Sequence, residues 1–255
     1  AIDQVAEVDD IVGVGVTGKP FIFAVGADLS GVGLIRLRKD AHAIAKGGHD
    51  VFRRLGELAV PSFAFVNGAA LGGGLEVALH CTYRTVSAEV SAIGLPECFL
   101  GLLPGWGGAY LLPNLIGADG AVTVMIENAL NQNRMLPAPQ AHGLGIFDAI
   151  FAPADFLEQS LAWAAAVLTG AVTVDRPGPD TGEAWDAAIA RGRAIADGRL
   201  HGAAPAPYRA LELIDAARHR NRDEGFAAED EALADLLMTD GIAFIDAGAV
   251  TIGLS

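Results

Sequence analysis

The chain is predicted to be an α/β protein, a spiral of strand–strand–helix turns closed by a helical C-terminal region. Three observations point there. Short apolar runs of strand length alternate with longer amphipathic stretches as far as residue 151. Glycine clusters sit where those runs end, around residues 13–18, 68–74 and 104–108. Beyond residue 182 the patterns are helical.

In chain order, residues 1–8 read as a short helical lead-in. Residues 11–16 alternate apolar residues with glycine and read as a strand. GVGVTG, residues 13–18, fits G-x-G-x-x-G, but a dinucleotide site needs that motif to open a helix, and strand-like KPFIF follows. No nicotinamide cofactor is expected from it. The next strand ends in Ala24, Val25, Gly26, Ala27 and Asp28, with Asp28 expected to fix the turn as a hydrogen-bond acceptor. Residues 34–58 are mostly helix, interrupted near Gly47 and Gly48. The apolar Ser62–Val66 is a buried strand. A tight glycine-rich passage, residues 68–74, leads into a helix over residues 75–81. Tyr83–Ser87 and residues 90–93 are short strands. PGWGG, residues 104–108, starts a helix that ends near Pro113. Residues 118–130 form a helix, 140–145 a short one before strand-like 146–151, and 154–168 a long amphipathic one. Pro177, Gly178, Pro179 and Gly182 make the second half of 169–182 a loop. Helices over 183–196, 207–219 and 226–238 follow, with the charged run 218–224 as a solvated turn.

At 255 residues, 52% of them hydrophobic, and a mean hydropathy of +0.38, the chain can bury the core of one domain, or of one domain with an appendage. No run reaches the roughly 18 uncharged apolar residues of a membrane helix, so no transmembrane segment is expected. AIDQVAEVDD at the start has no basic region before an apolar run, so no signal peptide is expected. A cytoplasmic location is the expectation, with Cys81 and Cys98 as reduced, buried thiols. A formal net charge of −14 argues against a nucleic-acid surface. No Cys/His spacing suggests a metal site. His42 and His49 are isolated, and core or surface roles are expected of them. Arg36, Arg38, Lys39 and Lys46 make a local positive stretch, read either as a solvated helix face or as an attraction for anionic phosphates.

The chemistry is expected between residues 61 and 110. A helix N-terminus offers unpaired N–H groups and the positive end of a dipole. Gly72, Gly73 and Gly74 let a ligand approach that backbone closely, which suits an oxygen that gains negative charge in a reaction. Glu76 lies about one helical turn beyond Gly73, on the same side. Glu97 follows Gly94-Leu95-Pro96. Two acids in so apolar a segment can divide proton removal and delivery.

NGAALGGGLEVALHC followed by IGLPECFLGLLPGWGG resembles the crotonase superfamily, and within it the enoyl-CoA hydratases. FAVGADL, residues 23–29, matches that family's other signature, a G-A-D turn after a strand. PYRALELI and the acidic helix after Phe226 resemble the hydratase portion of multifunctional fatty-acid oxidation subunits. The resemblance spans roughly residues 10–240. It implies a crotonase-like ββα superhelix over residues 1–200, without the family's earlier strand, then C-terminal helices over 201–240. Residues 241–255 would be a tail opening a following domain.

By this resemblance the N–H groups of Ala27 and Gly73 form an oxyanion hole and Glu76 and Glu97 are catalytic. Ala24, Val25, Gly26, Asp28, Gly72, Pro96, Trp106 and Gly107 would bind substrate, with Gly107 and Gly108 letting an acyl chain pass. The family's basic contact to coenzyme A falls near Ser30 here. The implied activity is hydration of a trans-2-enoyl-CoA in fatty-acid β-oxidation, a lyase reaction needing no metal or redox cofactor. The implied partners are an acyl-CoA substrate and either further copies of the chain or a thiolase-type subunit. The alternatives are a Δ3,Δ2-enoyl-CoA isomerase, which needs only one acid, or a non-catalytic module of a multienzyme complex.

Overall fold

The computed structural model describes residues 2–26 and 34–239 of the chain. Ala27, Asp28, Ser30 and the tail expected over 241–255 lie outside the described residues.

Successive strands alternate between two parallel sheets. Strands β1 (Val14–Thr17), β3 (Ser62–Val66), β5 (Tyr83–Ser87) and β7 (Ala149–Phe151) form one sheet in that order. Strands β2 (Phe21–Ala24), β4 (Gly68–Leu71) and β6 (Ile93–Gly94) form the other. After each of the first two strand pairs comes a helix, α2 (Arg38–Phe52) and then α3 (Gly73–His80). Each unit therefore adds one strand to each sheet, which is the expected ββα spiral. The register is regular in the first sheet, from Val14 opposite Ser62 to Thr17 opposite Phe65.

β3 shows why the sheets hold. All five of its residues are buried, as in a parallel strand covered on both faces. Phe63 and Phe65 point to one face, where Phe156 and Ala164 of α7 (Phe156–Leu168) cover them. Ala64 and Val66 point to the other, into the main core. Asn67 then accepts a hydrogen bond from the Gly18 N–H at 3.0 Å and donates to the Gly18 and Lys19 carbonyls. Residues 13–18 thus run along β1 into the turn before β2 rather than opening a helix.

Four readings of the sequence are corrected. Residues 68–71 form the strand β4, held by β2 and β6, so only Gly72 remains as the turn. α2 runs unbroken through Gly47 and Gly48. Gly48 is there because the Trp106 indole occupies the space a Cβ would fill. The helix beginning at Gly108 does not stop at Pro113. It runs on to Ile116; Gly117, with the non-helical φ 81° and ψ 164°, then separates it from a second helix that starts at Ala118 as expected, the two together making α4 (Gly108–Val122), which continues through a π-turn, Thr123–Glu127, into α5 (Asn128–Leu130). Its partners sustain it past the proline: it packs on α3, on α8 (Glu183–Leu200) and on α9 (Ala206–Ala217). By length and composition the Gly108–Leu130 run could cross a membrane, but 56% of its apolar window is buried in this fold, and Arg191 pairs with its Asp119 and Glu127.

The charged run 218–224 is more than a solvated turn. Asn221 caps α10 (Arg222–Leu237) in a reciprocal capping box with Glu224. Arg222 and Asp223 reach Glu57 and Arg53 across the end of α2. α10 lies along α2, and from the expected positive stretch Arg38 faces its acids, pairing with Glu231 and Asp235. Lys46 pairs with Asp50 of its own helix.

Candidate active site

The site is built at the end of the second sheet. β4 ends at Leu71, and the chain turns at Gly72 with φ 53° and ψ −129°, a conformation open essentially to glycine alone. The Gly72 N–H donates to the Gly94 carbonyl at 2.9 Å, tying this turn to β6. α3 then starts at Gly73, whose N–H has no acceptor within the helix because it is the first residue. A Cβ on Gly74 would collide with the Ala24 carbonyl, so glycine lets α3 sit directly on the end of β2. Gly26, with φ 86°, packs against Leu71 and Gly72. The expected residues Ala24, Gly26, Gly72 and Gly73 are therefore together, with Val25 beside them and half-exposed.

Glu97 reaches the same turn. Pro96 begins a 3-10 turn, Pro96–Leu100, directly after β6. That turn lays the Glu97 Oε1 against Gly72, where a Cβ would strike it. Glu97 Oε2 is buried and has no hydrogen-bond partner among the described residues. Burial, and after it the nearby charge of Glu76, push the Glu97 pKa well above the carboxylate range.

Glu76 is buried on α3 and anchored through one oxygen. Its Oε1 accepts the N–H groups of Trp106 and Gly108, each at 2.8 Å. Burial and the charge of Glu229 raise its pKa to about 7, against the lowering pull of those two donors. Glu76 and Glu97 thus both hold a proton more tightly than a free carboxylic acid does, each raised first by burial.

Trp106 packs its indole against α2. Its Nε1–H donates to the Ile44 carbonyl at 3.3 Å, and Phe52 meets it edge-on at 5.5 Å. The space beside Gly107 is taken by His80 and Leu111, and that beside Gly108 by Pro104 and Glu76. These two glycines bring backbone donors up to carboxylates. The expected passage for an acyl chain beside them is filled by those side chains.

Sequence reasoning missed Glu229, His49 and His80. Glu229, fully buried on α10, accepts the Gly107 and Tyr110 N–H groups at 2.6 Å each. His49 bridges Glu229 at 3.1 Å through Nε2 and Asp230 at 2.7 Å through Nδ1. Both acceptors are carboxylates, so both ring nitrogens donate and the ring is an imidazolium. Burial opposes that charge, but the two hydrogen bonds outweigh it and raise the pKa to about 9. His80 is the opposite case. Burial lowers it to about 4, and its Nε2–H donates to the Trp106 carbonyl at 2.8 Å. A signal for the first two was present: His49 continues the buried Ala41, Ala45 spacing of α2, and Glu229 and Asp230 fall between Phe226 and Leu233 on the apolar face of α10. Among the described residues no group of three or more His, Cys, Asp or Glu side chains is placed to hold a metal ion.

Comparison with known proteins agrees with this geometry. The family model described as "Enoyl-CoA hydratase/isomerase" matches residues 1–175. The fatty acid oxidation complex subunit alpha of Idiomarina loihiensis is 34% identical over 251 residues, covering 94% of this chain and 34% of that protein. The corresponding subunit of Shewanella loihica is 31% identical over 234 residues, covering 88% and 32%. The chain thus spans about a third of the length of these curated relatives. The crystal structure of an enoyl-CoA hydratase from Bacillus anthracis shares the fold with a TM-score of 0.58 at 22% identity, covering 97% of this chain and 83% of that one. The family model over residues 1–175, the relatives above 30% identity and the ββα spiral together place the chain in the enoyl-CoA hydratase/isomerase family of the crotonase superfamily.

Proposed function

We propose that the chain is an enoyl-CoA hydratase that adds water to a trans-2-enoyl-CoA. The observation that carries this reading is the pair of carboxyl groups, Glu76 buried on α3 and Glu97 laid against Gly72 with one oxygen unpartnered, beside the glycine turn that opens α3. The thioester carbonyl accepts the Gly73 N–H, with the Ala27 N–H as the second donor. Electron density is drawn from the double bond, and negative charge builds on that oxygen at the positive end of α3. Glu76, held by Trp106 and Gly108, takes a proton from water as the water oxygen bonds to the β-carbon. Glu97, in its protonated form, delivers its proton to the α-carbon through its unpartnered oxygen. The sum is one water added to the double bond, and the two carboxyl groups recover their starting states by exchange with solvent. Only carboxylates and backbone donors act, so no cofactor beyond the coenzyme A thioester is required. Two acids favour hydration over isomerisation, which needs one. The likeness to fatty acid oxidation complex subunits supports a place in β-oxidation, within a larger assembly.

The test is loss of enoyl absorbance with crotonyl-CoA and with a long-chain enoyl-CoA. Wild type is expected to hydrate at least one of them. Glu97→Gln is expected to lower kcat by about a thousandfold with substrate binding retained. Near-normal turnover in Glu97→Gln would sink the assignment. Turnover of a 3-enoyl-CoA without hydration would move the reading to isomerase.

A further inference from the structure

We propose that Glu229, with His49 as its counter-ion, is a positioning residue that places the Glu76 carboxylate and sets the charge around it. The inference rests on reading Glu76 as the base of hydration. Its ground is how two carboxylates share one short stretch of backbone. The Trp106 and Gly108 N–H groups go to Glu76, and the Gly107 and Tyr110 N–H groups go to Glu229. The donors interleave, so the backbone from Trp106 to Tyr110 is gripped from both sides. Neither carboxylate can shift without displacing the donors of the other.

The grip comes from different parts of the chain. Glu76 belongs to α3, between the sheets, and Glu229 to α10, which packs on α2 from outside. His49 holds Glu229 through Nε2 while Asp230 accepts from Nδ1 on the other edge of the ring. Phe226 stacks on the ring at 4.4 Å and shields it. Loss of the Glu229 charge would leave Gly107 and Tyr110 badly served and would remove a negative neighbour of Glu76. The charged and titratable groups of this cluster and those facing it are His49 from α2 and Arg53 just beyond its end, Glu76 and His80 from α3, Glu97 from the 3-10 turn after β6, Tyr110 from α4, and Arg222, Glu229 and Asp230 from α10. Of these, Glu229 is the negative group whose charge acts most on Glu76.

The experiment compares wild type, Glu229→Gln, His49→Gln and the double variant. Two readouts are taken: the dependence of kcat and KM on pH with crotonyl-CoA, and the titration of the Glu76 carboxyl carbon by 13C NMR of glutamate-labelled protein. The Glu76 signal is assigned from its absence in Glu76→Gln. Glu229→Gln is expected to lower kcat by about tenfold or more with KM held within about twofold. It should also lower the Glu76 midpoint by about half a pH unit or more. His49→Gln should move the midpoint the same way, because Glu229 without its counter-ion takes up a proton. The double variant should be no worse than Glu229→Gln alone, since His49 acts through Glu229. An unmoved Glu76 midpoint in the folded variants overturns the proposal, as do additive effects in the double variant or a loss confined to KM. If Glu229→Gln fails to fold, His49→Gln carries the same test. If wild type does not hydrate, the functional reading fails while the NMR titration still decides the role of Glu229.

Discussion

His49 should make the stability of this protein fall between pH 6.5 and 9. Its folded pKa is raised from 6.5 to about 9. In that window the folded chain keeps a proton that the unfolded chain has released. The folded state binds more protons, so stability declines as pH rises. The contribution is fully present below pH 6.5 and is lost as pH passes through about 9. A shift of that size corresponds to about 3 kcal/mol, or roughly 6–12 °C in Tm for a domain of this length. Glu76 works in a lower window. Its pKa rises from 4.5 to about 7, so it too gives a fall with pH, but one complete near neutrality. The two contributions can be separated by urea unfolding followed through tryptophan fluorescence at closely spaced pH values. Wild type should lose about 3 kcal/mol between pH 6.5 and 9. His49→Gln should be weaker by about 3 kcal/mol at pH 6, because Glu229 and Asp230 lose their buried counter-ion, and should fall less steeply than wild type between pH 6.5 and 9. A wild-type curve flat across that window, or an equal fall in the variant, would refute the assignment of an imidazolium at His49.

Three further outcomes follow from the site. Gly72→Ala forces a Cβ into a backbone conformation reserved for glycine and onto Glu97 Oε1, so it should destabilise by roughly 1–3 kcal/mol and lower kcat by about a hundredfold, measured by unfolding and turnover. Adjacent glycines of α2 should answer oppositely to alanine: Gly47→Ala, with open space around it, should stabilise by about 0.5–1 kcal/mol, while Gly48→Ala strikes the Trp106 indole and should destabilise by about 1–3 kcal/mol. The kcat/KM profile for hydration should rise with pH through a limb near 7, because Glu76 acts as base only when ionised; a profile flat from pH 5 to 8 would remove it from that role.

Much of this fold was legible because its signals are local. Ser62–Val66 reads as a buried strand from five consecutive residues, and the conformation at Gly72 requires the residue type found there. The two glutamates were visible as charges in an apolar segment. What escaped was decided by distant partners. Gly48 looks like a helix breaker until the Trp106 indole is seen resting on it. Pro113 looks like a helix end until α8 and α9 are seen supporting the helix beyond it. The acids of α10 were given no role because a single sequence does not say which helix lies opposite. Their partner His49 is on α2, and nothing within either helix names the other. The periodicity of each placed a polar residue in an apolar stripe, and that mismatch was the available clue.

The shared grip on residues 106–110 also orders events in time. Every group in contact with the thioester in this reading, from the β2 end to Glu97, precedes Gly101 in the chain and can be assembled early. The N–H groups of Gly107 and Tyr110 meet their acceptor only when α10 arrives. During synthesis that helix is the last of the described elements to emerge, and its contacts with α2 are the most distant in sequence. Among the described elements, the backbone frame around residues 106–110 is therefore complete only once α10 has docked.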